Sequence, residues 1–470
     1  MFDKLRRQIA RAIAPEAVRR FDGASGSRRW DRGAHFGSTS TEALQAAPAL
    51  RSRARYFYNN NAHARSGVEV LTTNLVGSGI TPASKAGESD IRTALGTAWM
   101  DWQNVADADG RTDLAGLVAN MVRAMVTDGE SFAQIIPTSR GLRLRVLPAE
   151  QIDEAKTVEL GNGGYIVAGV EFNAQGERVA YWVLPTKPTD VLTYAPSVRI
   201  PASDILHLMA PVGIGQVRGV SWLAPVLLKL AEIDGLEDAL LTGFKVAALH
   251  CAFLTDLNGQ SADPYDGTQS GSTLESGLEP GTMKRLPAGM DIKFNSPLQA
   301  QQSVEFLQSQ LRALSTGLGV PEFMLTGDVS RANYSSLRAS LITFRSLIER
   351  LQYSIIIPQV MRPLWERFVT WSVLSGGVTV LDFESNLAEY MRVEFHPPAM
   401  PWADPLKDIQ ATKEAINAGL MSRRQAVSGL GWSIEELDAE IAADREREES
   451  LGLAFNAPSA SEQNVNTTKK

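Results

Sequence analysis

The sequence predicts an α+β fold, predominantly helical and split into several subdomains. Val304, Leu307, Leu311, Leu314 and Leu318 recur at steps of three and four, as do Leu337, Leu341, Phe344, Ile348, Leu351 and Ile355, which gives two amphipathic helices. Between Ser131 and Leu184 the pattern shortens to β-branched and aromatic runs separated by glycines, the mark of strands. At 470 residues the chain exceeds what one core usually serves.

Residues 1 to about 40 begin with a basic, helix-prone piece from Lys4 to Arg20 and then turn rich in Gly, Ser and Arg, which reads as a partly disordered arm. Arg6, Arg7, Arg11, Arg19 and Arg20 suit contact with nucleic acid and suit a solvated basic face equally well. A helical pattern follows from Glu42 to Val76, ended by Gly77-Ser-Gly79, with further helices over Asp90–Val105 and Asp113–Thr127. Strands are expected at Ser131–Pro137, Leu142–Leu147, Tyr165–Phe172 and Val179–Leu184.

Val220 opens a long helix with Leu230, Ile233, Leu236, Leu240, Phe244 and Ala247 on one face and Glu232, Asp234, Glu237 and Asp238 among its polar positions. A short strand over Cys251–Thr255, a loop over Asn258–Gly277 and two strands flanking Pro287-Ala-Gly289 come next. The chain thus reads long helix, small β-rich insertion, long helix. Gly319-Val-Pro321 ends the first of the two amphipathic stripes and Pro358 interrupts the second. A Trp- and Phe-rich helix covers Leu364–Leu374.

Toward the C-terminus, Asp404-Pro405 is an N-cap followed by proline at the first helical position, and Gly419 marks the stop. Ser422 with Gln425 and Ser433 with Glu436 have capping-box spacing, so three short helices succeed one another. The third is strongly acidic, which reads as solvation. Residues 453–470 lack pattern and are expected to be disordered.

Between the two amphipathic stripes lies a polar loop, Leu325-Thr-Gly-Asp-Val-Ser-Arg-Ala-Asn-Tyr-Ser-Ser-Leu-Arg-Ala339. Arg331, Asn333, Tyr334 and Ser335 offer a cation, an amide, an aromatic ring and a hydroxyl, suited to touching phosphates and sugars without reading bases. The plainer reading has Asn333 or Ser335 capping a helix that begins near Ser336 while Tyr334 packs locally. Both readings stand together.

Composition excludes several functions. A formal net charge of −7 argues against tight gripping of phosphates, yet weak repulsion from the walls of a conduit would help a polyanion slide. Gly213-Ile-Gly215 followed by Gly219 misses the dinucleotide spacing, and no P-loop occurs. His35, His63, His207, His250 and His396 show no metal-ligand spacing, and no nucleophile elbow surrounds Ser335-Ser336. No catalytic residue, metal or cofactor is therefore expected. Cys251 reads as a buried apolar residue. No apolar run reaches the roughly eighteen residues of a membrane span and no signal peptide begins the chain, so a bacterial cytoplasm is expected.

Several words occur in an ordered set: Arg53-Ala-Arg55, Asn59-Asn-Asn61, Val70 through Gly79, Asp128-Gly-Glu-Ser-Phe132, Leu147-Pro148, Ile152-Asp153, His207, Arg218-Gly219, Gly319-Val-Pro321, Asn333 through Arg338, Trp402 through Lys407, and Gly419 through Arg423. Together, over roughly residues 40 to 452, they resemble the lambda-type portal proteins of tailed bacteriophages. The resemblance implies a dodecameric ring at the capsid vertex, through which double-stranded DNA is packaged and later ejected. It implies a wing (41–225 with 337–400), a stem (226–250 and 300–319), a clip (251–299), a channel-loop region (320–336) and a crown (401–452).

The partners it implies are further copies of the chain, DNA without sequence preference, the terminase large subunit, the major capsid or scaffold protein, and head-completion and tail connectors. Terminase would dock on the clip, where Asp256, Asp263, Asp266, Glu275, Lys284 and Arg285 are the charged candidates. The competing expectations are a phage DNA-processing enzyme such as a nuclease, which would need a clustered metal site, and a scaffold or adaptor without a channel.

Overall fold

The computed structural model describes residues 37–139, 141–185, 195–248, 252–255, 268–270, 273–275, 283–286, 300–330, 333–399 and 405–453. The fold is α+β and predominantly helical. Expectations for residues 1–36, Cys251, the strand at Asp291–Phe294, Asp404 and the tail beyond 453 lie outside the described residues.

The single helix expected over Glu42–Val76 is two, α1 (Thr39–Asn60) and α2 (Ala62–Val76). Asn61 makes the break: its backbone is extended and its side-chain oxygen accepts from the Ala64 N–H at 2.8 Å, capping α2. After β1 (Thr81–Ser84) come α3 (Ser89–Gln103) and α4 (Leu114–Asp128), the latter capped by Asp113 on the Gly116 N–H at 2.8 Å. Gly129, at φ 97°, ends α4 in the left-handed region and sends the chain straight into β2 (Glu130–Thr138).

β2 lies between β3 (Gly141–Leu147) and β9 (Ile205–Met209), antiparallel to both. A second sheet is a five-stranded meander: β4 (Val158–Glu159), β5 (Tyr165–Val167), β6 (Val170–Phe172), β7 (Arg178–Val183) and β8 (Val198–Pro201). The expected single strand Tyr165–Phe172 is therefore a hairpin. Ala168 (φ 47°) and Gly169 (φ 81°) form its two-residue turn, and the apolar Ala168 concealed it because alanine seldom adopts positive φ.

The helix expected from Val220 starts later, as α5 (Leu227–Ala248), because Ser221–Val226 form tight turns with bonds three residues apart. The insertion holds β10 (Ala252–Thr255) parallel to β13 (Met283–Leu286), and β11 (Thr268–Ser270) antiparallel to β12 (Thr273–Glu275). The latter pair falls inside the expected loop Asn258–Gly277, its three-residue strands being too short for alternation to show. The chain returns through α6 (Ala300–Leu318), with Gly319 at φ 70° closing it.

A short α7 (Glu322–Thr326) precedes α8 (Tyr334–Leu351), which runs unbroken into a π-helical segment (Gln352–Met361) and α9 (Arg362–Leu374). Pro358 thus does not interrupt the helix, because the wider π turns accommodate its missing N–H. The segment also turns two amides inward: Gln352 donates to the carbonyls of Asn74 (3.3 Å) and Leu75 (3.0 Å), and Gln359 accepts from the Met209 N–H at 2.9 Å.

α10 (Leu387–Tyr390) and β14 (Val393–His396), which pairs with β1, close the body. Three C-terminal helices follow as expected, α11 (Pro405–Asn417), α12 (Arg423–Ser428) and α13 (Ile434–Leu451). The Ser422–Gln425 capping box is present, but the Ser433 hydroxyl bonds the Glu435 carboxylate at 3.0 Å instead of capping α13.

Two apolar clusters result. The larger joins α2, α3, α4, α5, α6, α8 and α9 around Trp99, Trp102, Trp365 and Phe368, where Trp99 stands edge-on to Phe368 at 5.0 Å. The smaller gathers Phe132, Leu147, Ile152, Val170, Tyr181, Val183 and Ile205 between the two sheets.

Candidate functional site

The polar loop is a short exposed span between two anchored ends. On one side Leu325 is buried against α2, where a Cβ on Gly67 would meet Leu318 Cδ1 at 2.7 Å and Leu325 Cδ1 at 3.1 Å. Only a glycine lets α6 and α7 come this close. On the other side Asn333 caps α8: its Oδ1 accepts from the Ser336 N–H at 2.8 Å, and the Ser336 hydroxyl accepts from the Asn333 N–H at 3.2 Å. The helix therefore begins at Tyr334, two residues before the expected start near Ser336, because Asn333 and not Ser335 supplies the cap.

Between the anchors, Gly327, Asp328, Val329 and Ser330 are exposed, as are Asn333, Tyr334 and Ser335. Tyr334 is half-exposed at the first position of α8. Arg331 lies outside the described residues. Of the insertion candidates, Glu275 falls in β12, and Lys284 and Arg285 in β13, while Asp256, Asp263 and Asp266 lie outside the described residues.

Arg55, Asp128, Glu130, His207 and Arg218 belong to separate words of the sequence, and the fold brings them together in one buried ionic cluster. Glu130, at the start of β2, is fully buried. Its Oε1 accepts from Arg218 Nε at 2.8 Å and lies 2.6 Å from Nη2, while its Oε2 accepts from the Gly219 N–H at 2.8 Å and contacts His207 Nε2 at 3.1 Å. Arg218 also donates to the carbonyls of Ala168 (2.8 Å) and Ala149 (3.0 Å), so the positive-φ turn aims an acceptor at it.

Alternating charges extend the cluster to α1. Arg51 donates to Glu154 at 2.8 Å, and Arg55 forks onto Asp128 at 2.8 and 2.6 Å and onto Glu150 at 2.5 and 3.1 Å. Burial alone would raise the Glu130 carboxyl, but Arg218 and His207 outweigh it and hold it well below the usual carboxylate range. The hydrogen bond that Arg55 donates to Asp128, with the one to Glu150, raises Arg55 above its ordinary value. The cluster pins α1, both sheets and the Arg218 turn to one another. It is structural chemistry, since each carboxylate faces a guanidinium.

Among the described residues, no three His, Cys, Asp or Glu side chains are arranged to hold a metal ion, and no helix is long and apolar enough to cross a membrane.

The burial of the long helix pair fades along its length. Leu230, Ile233, Leu311, Leu314 and Leu318 are buried at the body end, whereas Leu241 (52%), Phe244 (46%), Val304 (50%) and Phe306 (55%) are exposed toward the insertion. Phe244 and Val304 lie on the two apolar stripes and Leu241 and Phe306 beside them, and the described residues leave all four about half exposed.

Residues 25–352 match the family model described as phage portal protein, lambda family. The chain belongs to the lambda family of phage portal proteins. A probable portal protein of Halomonas phage phiHAP-1 is 24% identical over 448 residues, covering 90% of this chain and 85% of its own. Portal protein B of Escherichia phage lambda is 22% identical over 460 residues, covering 86% and 84%. A chain from the neck of a native GTA particle shares 14% identity across 88% of this chain and 94% of its own, with a TM-score of 0.45.

Proposed function

We propose that copies of this chain close into a ring at one vertex of a phage capsid, around a hole through which double-stranded DNA is packaged and later ejected. The observation that carries this reading, within the family assignment, is the exposed apolar surface at Leu241, Phe244, Val304 and Phe306 on the long helix pair. Neighbouring copies repeating head-to-tail around a closed ring would cover it.

In this reading the wing is 41–225 with 337–400, the stem 226–250 with 300–319, the clip 251–299 and the crown 401–452. The channel-loop region is 320–336, where Arg331, Asn333, Tyr334 and Ser335 make weak contacts with the duplex regardless of sequence. Asn333 does so while capping α8. The chain catalyses nothing: ring geometry constrains the DNA, and the terminase large subunit, docked on the clip, supplies the energy. Capsid or scaffold, head-completion and tail proteins bind other faces. The ring assembles in the host bacterial cytoplasm and ends in the virion.

Face-on negative-stain imaging of the purified chain tests the proposal. Closed rings with an opening wide enough for a duplex support it, and lone subunits under every assembly condition overturn it. Replacing Arg331 and Tyr334 with alanine leaves the rings intact and lowers DNA packaging or retention; unchanged packaging removes the role given to the loop.

A further inference from the structure

We infer that His207 is a one-proton fastener between the two sheets, closed when the imidazole is neutral and loosened by acid. The inference is independent of the portal reading.

His207 sits on β9 of the three-stranded sheet, buried, with its ring stacked on Phe132 at 4.2 Å. Its two nitrogens face opposite partners. Nε2 is 3.1 Å from the Glu130 carboxylate on β2, while Nδ1 is 3.2 Å from Arg178 Nη1 and 3.3 Å from the Tyr181 hydroxyl, both on β7 of the five-stranded sheet. The Arg178 guanidinium is only a donor, so Nδ1 must accept, and the ring proton must sit on Nε2 and point at Glu130. The neutral ring thus bridges a carboxylate on one sheet and a guanidinium on the other.

A second proton has one place to go, Nδ1, and there it would set an N–H against the Arg178 N–H. The remaining charges do not relieve this. Glu130 is already engaged by Arg218 and the Gly219 N–H, with Arg51 at 3.7 Å, and Glu154 is shared between Arg51 and Arg218. Neighbouring residues on β9 carry no ionisable side chain. Burial lowers the imidazole from its ordinary value, against the raising pull of Glu130, in agreement with that geometry.

The sign follows directly. The folded protein resists a proton that the opened lobe accepts, so the contact is fully held above the ordinary histidine value near 6.5 and weakens as pH falls below it. The opening equilibrium of β7 rises by up to about tenfold for each pH unit below that point.

The test is amide hydrogen exchange of β6, β7 and β8 in the full chain at pH 7.5 and 5.5, corrected for intrinsic exchange. Wild type loses protection there between the two pH values, by up to about tenfold. In His207→Gln the amide can donate to Glu130 and accept from Arg178 without titrating, so its protection stays flat. An equal pH response in wild type and His207→Gln, or none in wild type, overturns the inference. Arg178→Met gives an independent reading: with the donor gone, NMR of labelled histidine shows His207 taking up its proton at higher pH than in wild type. A wild-type ring that titrates near 6.5 also overturns it.

Discussion

A Cβ at Gly219 would fall 2.1 Å from the carbonyl oxygen of Gly129, so these two glycines hold the Arg218 turn and the α4–β2 junction in direct backbone contact. The contact works in both directions, since a Cβ at Gly129 would lie 2.3 Å from the Val220 carbonyl carbon. It is this approach that lets Arg218 and the Gly219 N–H reach Glu130.

Gly219→Ala should therefore prevent folding or displace the turn, seen as loss of soluble chain or a collapse in thermal midpoint. The contrast is Gly96→Ala in α3, where an added Cβ meets nothing within 4 Å. That change should stabilise by about 0.5–1 kcal/mol in chemical denaturation.

Glu130→Gln leaves Arg218 buried beside a neutral amide and should cost about 3–5 kcal/mol in denaturant titration. Replacing both Glu130 and Arg218 with methionine should cost less than the single change, because no unpaired charge then stays buried. A double variant weaker than Glu130→Gln would contradict the pairing.

Acid should act on Glu130 in a lower window than on His207. The folded carboxyl is held below its ordinary value, so its contribution is complete above pH about 4.3 and is lost as pH falls beneath it. Asp107, lowered by the N–H groups of Arg111, Asp109 and Thr112 against the opposing effect of burial, adds in the same direction. Below pH about 4.3 the denaturation free energy should therefore fall more steeply in wild type than in Glu130→Gln.

Asn333→Ala should lower stability by about 0.5–2 kcal/mol through loss of the α8 cap, and Asn333→Asp should retain most of it. Circular dichroism melts of the two variants separate this capping role from any contact with DNA, which would be read in packaging.

Phe244→Ser with Phe306→Ser should leave the subunit folded, since both side chains are about half exposed. If neighbouring copies cover them, the variant should sediment as a smaller species than wild type. Unchanged assembly would remove these two positions from the proposed subunit contact.

Local patterns were readable where the physics is local. Ser422 caps its helix as spacing suggested, the helix expected from Asp113 begins there with Asp113 as its cap, and Gly319 ends α6. The hairpin at Ala168-Gly169 leaves no mark in the sequence because its positive-φ alanine is held by its surroundings, its carbonyl being used by Arg218. Pro358 continues the helix for a similar reason: a π segment fixed by Gln352 and Gln359 contacts tolerates it.

The sequence by itself determined the alternation of helices and strands, the family and the polar loop, since periodicity, capping and ordered words are properties of neighbours along the chain. Only the tertiary structure decided that Arg51, Glu130, Glu154, His207 and Arg218 form one buried cluster. Charges far apart in sequence carry no mark of their pairing; desolvation makes each costly alone, and the fold in which they neutralise one another selects the partners.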